Sequence, residues 1–369
     1  MTEPTPESRG SARGPLIAVV ALALIGGGGV LAWGIVGLLS GGSPIGDGRD
    51  PGSYGADLST LVVDREALAG TGNPRDFLRP YEDPDRMPGS EVAQWNAENS
   101  RKWQKEVVST DRVVGIEIGG ETRAYPLFIV DAHEIVTDVL GGVPILIARS
   151  PLLDEVMVFD RRLDDGNLVE LGVSGLLEDL ALVMHDGREP LSLWSAHDGR
   201  AIAGPSVGDR LRPIEGVSIV PWRSWLERHP GTTVVVREPD SMRRYRRIDY
   251  RRYLDGDRWL IPPRREPAAG SSPGPRDRVV SILGPDGEPR AIIPLADLAR
   301  HGKGLTVVVD GRSVVLETIP GEAVVRVVSS DGPATRFGMW SGPWTRNPVV
   351  AEEALDRGRD LLAGAVEAP

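Results

Sequence analysis

Residues 112–127 read RVVGIEIGGETRAYPL, and residues 278–295 read RVVSILGPDGEPRAIIPL. In each copy a Val-Val strand runs into a Gly-containing turn, then Gly-Glu-x-Arg-Ala, then Pro-Leu, the order a β-hairpin needs when it leads into a covered edge. A histidine follows each proline by seven residues, His133 after Pro126 and His301 after Pro294. Shared order at a fixed offset predicts a duplicated β-rich unit. Outward from these hairpins, short runs rich in β-branched residues recur between turn signals: PILIA, VMVF, TTVVVRE, LTVVVDG, SVVLETI and AVVRVVSS. They predict a mainly β (α+β) domain over residues 57–350 with a few peripheral helices. One helix is expected within 89–107, where Val92, Trp95 and Trp103 can share a face. Another is expected at 351–363, in the C-terminal segment 351–369.

The domain is preceded by an apolar stretch that begins at Leu16 and ends at Leu39 and carries no charged residue. At about 1.5 Å per residue such a helix spans roughly 36 Å, enough to cross a bilayer. A cleaved signal peptide is the alternative, but its apolar region runs only about 7–15 residues, and no A-x-A site follows this stretch. The expectation is therefore one transmembrane helix at 15–40. Arg9 and Arg13 precede it, and no basic excess follows, which places the tail 1–14 in the bacterial cytoplasm and the main domain outside it. Residues 41–56, GGSPIGDGRDPGSYGA, read as a flexible tether.

The chain has 42 basic and 53 acidic residues, a net charge of −11, so it lacks the basic footprint of a nucleic-acid binder. It has no cysteine. Disulfides, thiolate metal sites and cysteine nucleophiles are excluded with it. No phosphate loop, zinc-protease motif or nucleophile elbow is present, and Ser174 in Gly172-Val-Ser-Gly175 falls one residue short of G-x-S-x-G spacing.

Several elements in one order resemble a bacterial family catalogued as domain of unknown function 3179, whose sequences carry "RAYPL", "HEIVND", "YCPLCG" and "FDR". The corresponding stretches are Arg123 to Leu127, His133 to Asp138, Arg149 to Leu153 and Phe159 to Arg161. The resemblance continues through Ser192-Leu-Trp-Ser195, Trp222-x-x-Trp225 and His229-Pro230. It departs where the family has its two cysteines, here Ser150 and Leu153, and also at Thr137 and Ala196. A Cys-x-x-Cys beside His and Met would suit a soft metal or redox chemistry, which makes this chain a degenerate member.

The candidate pocket comprises His133, Glu134, Asp138, Ser150, Leu153, Met184, His185 and Trp194. His133 is expected close to the 150–153 turn, held by hydrogen bonds, with Met184 and Trp194 as an apolar wall. No metal or cofactor is expected. Neighbouring residues on a strand face opposite ways, which argues against His133 and Glu134 converging, and methionine is more often core filler than ligand. His197, His229 and His301 read as loop residues, and Asp154 with Glu155 as solvated carboxylates.

Arg243, Arg244, Arg246, Arg247, Arg251 and Arg252 form the strongest basic run. They are candidates for an anionic envelope polymer or lipid headgroup. The simpler reading is a partly exposed strand in which Tyr245, Tyr250 and Tyr253 pack. The sequence thus points to a membrane-anchored extracytoplasmic binding or scaffold module. The alternative is a metal-handling or redox-related enzyme keeping a site around His133 and Met184.

Overall fold

The computed structural model describes residues 44–99, 105–214, 217–245, 248, 250–256, 258–263, 276–283, 289–296 and 298, with strands at 305–309, 312–318, 325–330 and 334–339. The expected membrane span at 15–40, the tail 1–14, the helix at 351–363, Trp103, Arg246, Arg247 and His301 lie outside the described residues. Among the described residues no helix is long and apolar enough to cross a membrane.

Strands β1 (Leu68–Gly70), β2 (Tyr81–Glu82) and β3 (Arg86–Pro88) precede a helix at Val92–Glu98. The hairpin β4 (Arg112–Ile118) and β5 (Glu121–Pro126) continues through a helix at Leu127–His133 into β6 (Ile135–Leu140), β7 (Val143–Ser150) and β8 (Glu155–Asp160). Then come β9 (Gly172–Glu178), β10 (Ala181–His185), β11 (Leu193–Ser195), β12 (Ala201–Ala203), β13 (Arg212–Pro213) and β14 (Ser218–Pro221). A helix at Trp222–Arg228 leads to β15 (Thr233–Val235), and short helices at Met242–Tyr245 and Arg251–Leu254 follow. The chain continues with β16 (Arg278–Leu283), β17 (Pro289–Pro294), β18 (Leu305–Val309), β19 (Arg312–Thr318), β20 (Val325–Ser330) and β21 (Ala334–Met339).

The protein is mainly β, as expected. One sheet runs β14-β4-β5-β15-β3, a second β17-β16-β21-β8-β7-β6-β2, a third β1-β9-β10-β11-β12, and a fourth β18-β19-β20. Alternation stacks the first three, because successive side chains on a strand face opposite ways. Val136, Ile145, Ile147, Val156 and Val158 share a core with Val114, Ile116 and Tyr125 of the first sheet. Ile135, Leu146, Ala148, Met157 and Phe159 point the other way, into a core with Val173, Leu182, Met184 and Trp194 of the third. The second sheet is therefore buried on both faces.

The hairpins that opened the sequence reading pair in the same register. Val113 lies opposite Pro126, and Val279 lies opposite Pro294. Helical residues follow each proline, Leu127–His133 in one case and Leu295, Ala296 and Leu298 in the other. Gly119 and Gly120 both have positive φ, 59° and 81°, the two-residue turn whose twist matches its strands and which favours glycine.

Two expectations are corrected. Among the described residues, the segment 89–107, expected to be helical, forms a 3-10 turn at Gly89–Glu91 and a helix at Val92–Glu98. Val92 is buried but Trp95 is 44% exposed, so these two do not share a buried face. Residues 44–56, read as part of a flexible tether, pack against the third sheet. Asp50 caps a 3-10 helix at Pro51–Tyr54, and Tyr54 is fully buried with its hydroxyl donating to the Asn73 carbonyl. Its ring lies among Leu68, Leu176, Val183 and Leu193. The polar composition supplies turns, and one aromatic ring supplies enough apolar surface to anchor them.

Gly115 on β4 lies under the Trp225 ring, and a Cβ there would come within 2.3 Å of ring carbon. Gly115→Ala is expected to destabilise the fold by about 1–3 kcal/mol, read as a lower urea midpoint at unchanged slope.

Candidate functional site

The helix at Leu127–His133 stops because Glu134 takes a left-handed conformation, φ 58°, which turns the chain into β6. The Glu134 carbonyl then accepts from the Arg149 amide at 2.8 Å, so the helix end lies beside the start of the 150–153 turn. His133 is fully buried there. Its Nδ1 is 2.9 Å from the Arg79 carbonyl, which can only accept, so Nδ1 carries the proton. Nε2 accepts from the Tyr245 hydroxyl at 2.9 Å, and that hydroxyl accepts from the Glu238 amide. Burial holds the imidazole pKa below its ordinary value. Both ring nitrogens of His133 are thus occupied by protein groups, in keeping with a buried polar residue whose bonding is satisfied.

The turn beside it holds an ion network. The Arg149 guanidinium, fully buried, donates from Nε to Asp131 at 2.7 Å and from Nη2 to Asp154 at 2.8 Å. Asp154 also accepts both terminal nitrogens of Arg112, at 2.8 and 2.9 Å, and Arg278 Nη2 lies 3.6 Å from its Oδ2. Arg112 and Arg278 open the two matching hairpins, so one carboxylate joins them. The three arginines hold Asp154 far below the usual carboxylate range against the opposing effect of burial. Asp131 is pushed up, because burial outweighs its Arg149 partner. Burial and then the Asp131 charge push the Glu134 carboxyl up to about 8.

Ser150 and Leu153, where the resemblance places sulfur, have structural roles. The Ser150 hydroxyl accepts from the Leu182 amide at 2.9 Å, and Leu153 packs with Leu177, Leu180, Val279 and Ile292. Asp138 does not join His133: its carboxylate binds the Arg123 guanidinium, the Tyr125 hydroxyl and its neighbour's amide. Met184 and Trp194 are cross-strand partners in the core between the second and third sheets. His133 packs against Tyr81 and Tyr245, whose core lies on the opposite face of the second sheet. The anticipated wall of Met184 and Trp194 around His133 is therefore corrected: an intervening sheet separates them. His185 accepts from the Gly187 amide at Nδ1 and donates from Nε2 to Asp76 at 2.7 Å.

Other readings change too. Asp154 and Glu155 are buried and partnered, Glu155 lying 3.1 Å from Nδ1 of His197. Ser195 donates to Glu178, whose pKa burial raises. Ser174 donates to the Val183 carbonyl. His229 lies against the Trp225 ring at 3.9 Å between centroids. The arginine run forms short helices at Met242–Tyr245 and Arg251–Leu254 in place of the expected strand, with Tyr245 buried in the first and Leu254 in the second. Arg243, Arg251 and Arg252 are exposed, and Arg244 donates at 3.5 Å to the Ala132 carbonyl. Sequence reasoning missed Arg112, Arg123, Asp131, Arg149 and Arg278. The shared initial arginine of the two hairpins was the available signal.

The family model for Protein of unknown function (DUF3179) matches residues 91–358. No curated protein and no solved structure matches the chain.

Asp154→Asn removes the charge that three guanidiniums face, and a loss of about 3–5 kcal/mol is expected in chemical unfolding. Glu134 acts in the opposite sense. Folded, it keeps its proton up to about 8, whereas an unfolded glutamate loses it near ~4.3. The folded state thus binds more protons across that window, and stability falls as pH rises through it. Glu134→Gln is expected to gain stability over the parent from about pH 5 to about pH 8 and then level off, measured as urea midpoint against pH.

Proposed function

We propose, from the premise that the chain belongs to the DUF3179 family, that it is a membrane-anchored extracytoplasmic binding or scaffold module whose cysteine position has become structural. The observation that carries this reading is the Asp154 network. Where the resemblance places paired sulfurs, this chain has an arginine-carboxylate clamp between two hairpins, and the neighbouring His133 has both nitrogens engaged. A buried, hydrogen-bonded ion pair loses stability when either member is altered, so Asp154 with Arg112 and Arg149 resists use as a reactive centre and serves registration of the fold.

The reading includes a duplication. It is supported by the shared Val-to-Pro register, the helical residues after each proline, and the convergence of Arg112 and Arg278 on one carboxylate. Membrane attachment rests on the uncharged stretch from Leu16 to Leu39 and the arginines before it. The exposed Arg243, Arg251 and Arg252 would then face an anionic envelope polymer or lipid headgroup.

A reporter fused after residue 348 is expected to be active only outside the cytoplasm, and cytoplasmic activity would reverse the topology. Elemental analysis of the purified full-length protein, with copper titration, is expected to find no stoichiometric metal. Tight copper binding that is lost in His133→Ala would replace the scaffold reading with the metal-handling one.

A further inference from the structure

Asp154 has more cations around it than it can neutralise. Arg149 is fully buried and its donors go to Asp131, Asp154 and the Glu155 carbonyl. Arg112 gives both terminal nitrogens to Asp154. The Arg278 guanidinium approaches the oxygen that Arg112 Nη1 already holds, stays at 3.6 Å, and donates no hydrogen bond among the described residues. Arg112 and Arg278 are each 27% exposed, so two like charges sharing one acceptor both reach solvent. Three guanidiniums face two carboxylates, Asp131 and Asp154, a local positive excess in a chain of net charge −11.

The other end of Arg149, at Asp131, carries groups of a different kind. Glu134 and Tyr250 are half-buried, and their side chains make no hydrogen bond among the described residues. The Tyr250 hydroxyl is pushed above its usual range by burial and then by Glu134 and Asp131. With its carboxyl pushed up to about 8, Glu134 is largely protonated at neutral pH and adds no counter-charge.

We propose that Arg112 and Arg278 bind the oxyanion of a small molecule, a carboxylate or a phosphate, on the solvent side of the pair. This rests on the reading of the domain as a binding module and names its ligand class. A guanidinium offers paired donors in a fixed fork that fits such oxyanions. Arg112 is already held in place by Asp154, so little ordering opposes binding. A second anion on the solvent side of the pair would also relieve the repulsion between the two cations.

The test is calorimetric titration of the full-length protein at low ionic strength with inorganic phosphate and, separately, with acetate. At least one is expected to bind saturably at a single site. Arg278→Gln should weaken that binding about ten-fold or more. Its thermal midpoint without anion should stay close to the parent's, because no side-chain hydrogen bond is lost. Arg278→Lys keeps the charge without the fork and should fall between the two, while Arg65→Gln, at a side chain 57% exposed just before β1, should bind as the parent does. Absence of saturation by either anion up to about 50 mM, or equal weakening by Arg278→Gln and Arg65→Gln, would overturn the site. Failure of anion binding together with absence of bound copper would remove this site and leave the scaffold reading standing. Stoichiometric copper would remove the scaffold reading, whatever the phosphate result.

Discussion

The buried carboxylate of Asp154 is the constraint around which this part of the molecule is built. Moving a carboxylate out of water is costly unless its lone pairs are met, and here Arg112 and Arg149 meet them while Arg278, from a third strand, stands 3.6 Å away. Arg112 begins β4, Arg149 lies near the end of β7, and Arg278 begins β16. One side chain therefore sets how two hairpins and the 150–153 turn lie together. Because such a cluster is poorly replaced one member at a time, it gives the assembly a unique register more than it adds net stability.

A second polar cluster has the same logic with a different outcome. Arg123 and Tyr125 on β5 both bind Asp138 on β6, tying the first sheet to the second. These residues belong to the RAYPL and HEIVTD stretches, so a part of the motif that invites a functional reading is occupied in holding strands together. His133 belongs to this group as well: Tyr245 and the Arg79 carbonyl immobilise it. The charge left unbalanced lies at Arg112 and Arg278, which share one carboxylate oxygen and remain partly open to water.

Legibility differed between fold and site for a definable reason. The β-rich character and the hairpins could be read locally, since turn chemistry and alternation act over a few residues; the helix at Leu127–His133 was missed, His133 and Glu134 having been read as strand neighbours. The candidate site could be read only in fragments. Ser150, Leu153 and His133 were picked out by their place in the motif, but His133 is bonded to Tyr245, 112 residues away, and Arg112 to Asp154, 42 residues away. Met184 failed as a neighbour of His133 because an intervening sheet with cores on both faces has no signature in a string of residues.

By itself the sequence determined the absence of thiolate chemistry, the acidic net charge, the apolar stretch from Leu16 to Leu39 and the paired hairpins, all properties of composition and short-range order. Tertiary structure alone decided which polar residues are partnered and which remain open. Asp154 and Glu155, adjacent in sequence and alike in chemistry, go to different neighbours, one to arginines and the other to His197. Electrostatic energy depends on distance and on exclusion of water, and both are set by how sheets stack, not by how residues follow one another along the chain.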